Sequence, residues 1–157
     1  MKNIIPWLLL ICSCFICGYF FLSGLSDSYK KLDRVEISNK IDMFEIHGEP
    51  FDITANIIIT QDTLKAFSFV RENTDSSVTI EDFRGAVGVT FTGEGCPTIW
   101  FPSVSLSPIG IATINHELMH LVFYILDRAG VYHSIETDEV YAYELDYLSI
   151  QLYNHIK

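Results

Sequence analysis

Apolar and polar positions change period several times along this chain, and each change marks an element. From Ile4 to Leu25 the run IIPWLLLICSCFICGYFFLSGL carries no charge. It is apolar on every side and, at about 22 residues, long enough to cross a bilayer as a helix. Ser26 to about Lys40 is polar with mixed charge and reads as a linker or short helix. FDITANIIIT (51–60) is β-branched and predicts a strand. Leu64, Ala66, Phe67 and Val70 then recur at helical spacing, with Thr60 or Asp62 as the cap. After a polar turn (73–77), GAVGVTFT (85–92) and TIWF (98–101) predict two short strands, the second stopped by Pro102. Ser107 and Pro108 open a helix that runs to about Ala129, with Gly130 just beyond its end. A last helix spans about Asp138 to Tyr153, with Thr137 as N-cap and Asp138 and Glu139 at its positive end.

This order of strand, helix, two strands and two helices predicts an α+β fold with a small sheet. The expected organisation is a transmembrane anchor or signal segment at 1–26, a juxtamembrane linker at 27–45 and a folded domain at 46–157. An uncleaved single-pass anchor accounts for the length of the apolar run. Cleavage before Asp27 is the alternative and implies a secreted or periplasmic protein. Three of the four cysteines lie in the apolar run, so Cys96 has no disulfide partner within the folded part. The net charge is −10, without a basic cluster, which argues against nucleic acid as a partner.

The predicted helix from Pro108 contains HELMH, His116 to His120. Residues four apart share a helix face, so both imidazoles can address one cation. Glu117 lies about 100° round the helix. From there a carboxylate reaches a metal-bound water without itself ligating the metal. Thr113, Ile114, Leu118, Met119, Leu121 and Val122 surround the motif with uncharged residues. Three ionisable groups in such a helix are costly to bury without a shared partner, and a Zn²⁺ ion is the expected partner.

A catalytic zinc site needs a third protein donor. Phe123 and Leu126 occupy the positions where one class of such sites carries Gly and His, which excludes that class. His133, Glu136, Asp138, Glu139, Glu144 and His155 remain as downstream candidates. Glu139 is favoured, in the first turn of the second helix, where a carboxylate can face back onto the first. Tyr143, four residues on, shares its face and offers a hydroxyl to a developing oxyanion.

HELMH followed by Glu139-Val140-Tyr141-Ala142-Tyr143 resembles the gluzincins, zinc metallopeptidases whose third ligand is a glutamate on the next helix. Residues about 83–150 resemble short metallopeptidase-like proteins of phages and mobile elements, which join an HExxH helix to an E-x-x-A-Y helix. The resemblance implies a zincin-like domain that hydrolyses peptides or proteins. It implies His116, His120 and Glu139 as metal ligands and Glu117 as general base. In that reading the TIWF strand is the sheet edge that aligns an extended substrate. The competing expectation is a non-catalytic, membrane-tethered zinc-binding or interaction domain.

Overall fold

The computed structural model describes residues 42–157. The apolar run at 4–25 and most of the expected linker lie outside the described residues.

Among the described residues the fold is α+β, a four-stranded mixed sheet with three helices. Strand β1 (Asp42–Gly48) pairs antiparallel with β2 (Ile53–Ile59), Asp42 opposite Ile59 and Gly48 opposite Ile53. Helix α1 (Thr63–Asn73) follows, its first turn capped by the Asp62 carboxylate, which accepts from the Lys65 amide. A 3₁₀ turn (Ile80–Phe83) leads to β3 (Val89–Phe91) and β4 (Thr98–Phe101), which pair antiparallel. Strand β4 lies parallel to β2, giving the order β1-β2-β4-β3. Helices α2 (Pro108–Arg128) and α3 (Asp138–His155) complete the chain.

Both faces of the sheet are covered, which explains why the second half of β2, residues 57–59, is apolar on both faces. Successive side chains point to opposite faces. Ala55, Ile57, Ile59, Ile99 and Phe101 therefore meet Leu118, Leu121, Val122 and Ile125 of α2 and Leu148 and Leu152 of α3. Ile58 and Trp100 point the other way, into a smaller cluster with Ala66, Val70, Phe83 and Phe91. The Trp100 indole N–H donates to the Thr60 carbonyl at 2.9 Å, so the buried ring keeps its polar atom satisfied. By length and composition α2 passes as a membrane-spanning helix. Ile114, Leu118, Leu121, Val122, Ile125 and Leu126 are nevertheless at most 1 % exposed, which accounts for its apolar character as the central helix of the core.

Four expectations change. The folded unit takes in residues 42–45, placed in the linker by the sequence, because β1 covers the free edge of β2. Only Val89–Phe91 of the expected 85–92 strand pairs, since Gly85 has a φ of +72° and carries the chain out of the preceding turn. The TIWF strand is interior, not an edge: all four of its residues are buried, and β2 and β3 flank it. Thr137 precedes α3 but does not cap it with its side chain; its hydroxyl instead ties the α2–α3 connection together through Tyr132 and Ser134.

Candidate functional site

Helix α2 begins and ends where its local sequence dictates. The Ser107 hydroxyl accepts from the Gly110 amide at 3.2 Å, and Pro108 supplies a pre-set φ. Gly130, at a φ of +75°, takes the left-handed conformation that ends the helix. Between these limits the core-facing stripe fixes the rotation of the helix. His116 and His120 fall on its exposed side, and Glu117 is buried at 6 % exposure.

The two imidazoles converge. Their Nε2 atoms lie 3.2 Å apart, with ring centroids at 4.8 Å and planes at 87°. Two nitrogens on a tetrahedral zinc ion, each about 2.0–2.1 Å from the metal, stand roughly 3.3 Å apart. The pair therefore already has the spacing of two corners of such a site.

Glu117 is placed by the edge strand β3. The Thr90 hydroxyl lies 2.8 Å from Glu117 Oε2 and 3.0 Å from the Glu117 carbonyl oxygen, sharing its hydrogen between the two. A Cβ on Gly88 would stand 3.0 Å from Glu117 Cγ and 2.9 Å from the Phe101 ring, so the missing side chain lets this segment approach the glutamate. A cleft of about 460 Å³ opens here between residues 88–92 and α2, lined by Glu117, His120, Phe123, Tyr124 and Asp127. A larger pocket, about 510 Å³ at the end of α1, contains neither histidine nor the motif glutamate.

The remaining candidates are arranged differently from the expectation. Among the described residues no third His, Cys, Asp or Glu joins His116 and His120 in a metal-sized group. Glu139 and Tyr143 stand on the exposed side of α3, Tyr143 at 70 % exposure. The inward face of that helix is Tyr141, Glu144, Leu148 and Leu152. Tyr141 anchors it by donating to the Val131 carbonyl at 3.0 Å and packing on Phe123 and His133. His133 pairs with Asp138 at 3.1 Å, and His155 pairs with Asp42 while stacking on Phe44. Glu136 is exposed, and hydrogen bonds, that of Ser134 first, hold its carboxyl below the usual range.

Thr90, Gly88 and Asp127 were not singled out by the sequence, because only the fold brings β3 beside α2. Glu144 carried a signal of its own. It falls three residues after Tyr141 and four before Leu148, on the apolar spacing of α3.

Comparison with protein-family models, with curated proteins and with solved structures finds no match.

Proposed function

We propose that the protein is a zinc-dependent peptidase of zincin-like architecture, centred on His116, Glu117 and His120. The observation that carries this reading is the 3.2 Å approach of the two Nε2 atoms next to a buried glutamate that belongs to the same motif. Hydrolysis needs a base, and Glu117 is the carboxylate of the motif that can serve as one.

His116 and His120 would hold the ion through Nε2. Bound zinc would supply Lewis acidity and a water of pKa roughly 7. Glu117 accepts a proton from the attacking water and returns it to the leaving amine. The Thr90 hydrogen bond fixes the rotamer in which its carboxylate does so. Strand β3, at the end of the sheet order, takes the substrate-aligning role expected of TIWF. Glu139 remains the proposed third donor, with Tyr143 beside it, and this assignment requires the first turn of α3 to close towards the histidine pair. The 4–25 segment is proposed to tether the domain to a membrane, an arrangement that alkaline extraction of membranes checks.

Metal analysis and a general proteolysis assay on the full-length chain test the reading together. Wild type should carry about one zinc and cleave. Glu117→Gln should keep the zinc and lose at least about 100-fold in rate. The lack of a third donor beside the histidine pair among the described residues counts against hydrolysis and leaves one alternative, a non-catalytic zinc-binding or interaction domain. Stoichiometric zinc with equal, background-level turnover in both proteins would establish that alternative.

A further inference from the structure

The cleft beside Glu117 extends well past the reacting centre, and its far end is acidic. Thr90 touches Glu117, and three residues later the Gly93 carbonyl accepts from the Tyr124 hydroxyl at 3.2 Å. Strand and helix therefore run in the same direction, and the groove between them leads from Glu117 and His120 to Asp127. Asp127 is seven residues beyond His120, roughly 10 Å along the helix axis. An extended chain covers that distance in about three residues.

Asp127 is exposed. It sits in the last turn of α2, where a negative charge opposes the helix dipole. Among the described residues it forms no ion pair. The neighbouring Arg128 is drawn over the Tyr124 ring, its guanidinium carbon 5.7 Å from the centroid. Among the described residues no lysine or arginine lines the cleft, whose charged side chains are Glu117, Asp127 and, when protonated, His120. Phe123, 44 % exposed, gives the wall between the two ends an apolar surface.

We propose that the cleft binds an extended peptide and that Asp127 selects a lysine or arginine about three residues from the bond aligned with Glu117. The peptidase reading supplies the position of that bond. The charge preference follows from the cleft alone.

The test separates the two. Binding is measured on the full-length chain carrying Glu117→Gln, so that turnover does not interfere. The probes are fluorescent alanine-based peptides in which one lysine, or one glutamate, is moved through successive positions. One lysine position should bind about two- to five-fold more tightly than glutamate at the same position in low salt, the size of a single exposed charge pair. Adding Asp127→Asn should abolish that preference, Asp127→Glu should keep it, and Asp127→Lys should reverse it. Equal binding of the lysine and glutamate series, or a preference that survives Asp127→Asn, overturns the inference. If lysine selectivity appears in binding but wild type cleaves none of the peptides, the acidic subsite stands and the peptidase reading falls.

Discussion

Replacing Glu144 by glutamine should shift the stability difference progressively in favour of the variant as pH rises. The side chain is 4 % exposed, and its Oε1 has no hydrogen-bond partner among the described residues. It is wedged between α2 and the end of β1: a Cβ on Gly48 would stand 2.7 Å from Oε1 and 2.8 Å from Ile125 Cδ1. Burial, with a smaller contribution from the charge of Glu49, pushes the carboxyl from 4.5 up to about 7. Because the folded value is the higher one, the folded state binds the extra proton between these limits. Stability is therefore greatest below 4.5 and falls as pH rises, until the full cost is reached above about 7. At 1.36 kcal/mol per pKa unit, that cost is about 3 kcal/mol. Glutamine has the same shape without the titration, although its buried amide brings a pH-independent penalty of about 1–3 kcal/mol. The diagnostic quantity is thus the change in the stability difference with pH. Between about pH 5.5 and pH 8 it should move by about 2 kcal/mol in favour of the variant. Urea unfolding of the full-length chain, followed by tryptophan fluorescence at both pH values, measures it. A difference that stays constant would show that Glu144 ionises freely in the fold, and the buried-carboxyl argument would be wrong.

Three further outcomes are expected. His116→Ala and His120→Ala should each lose stoichiometric zinc after dialysis, read by elemental analysis; full retention in both eliminates the site. Glu139→Ala should weaken zinc binding by at least about ten-fold in a competition titration, whereas a loss confined to His133→Ala would move the third ligand there. Thr90→Val should cost about 1–3 kcal/mol in urea unfolding, since it strips a hydrogen bond from a buried carboxylate, and should slow hydrolysis without releasing zinc.

Much of the chain was legible because its signals are local. The limits of α2 are set by Ser107, Pro108 and Gly130, residues that act on the turn they occupy. The HELMH pair is likewise local: four residues of helix bring two imidazoles onto one side whatever packs behind them. Strand β2 announced itself through its β-branched run.

What stayed hidden depends on partners distant in sequence. Strand β1 alternates Phe44 and Ile46 inward with Glu45 and His47 outward, but Met43 blurs the pattern, and only pairing with β2 makes the segment a strand. That β4 is interior and β3 the edge follows from the parallel β2–β4 pairing, which skips over α1 and β3. Tyrosines occur on both sides of α3, Tyr141 buried and Tyr143 exposed, so side-chain chemistry alone gives no contrast that sets its rotation. Packing against α2 and β1 decided it, turning Glu144 into the core and Glu139 out to solvent. The positions of the histidine pair and its glutamate on their helix are thus a local matter, since helical geometry needs no partner. Which strand touches Glu117, where the cleft leads and which acid is buried depend on surfaces that meet only once the chain has folded.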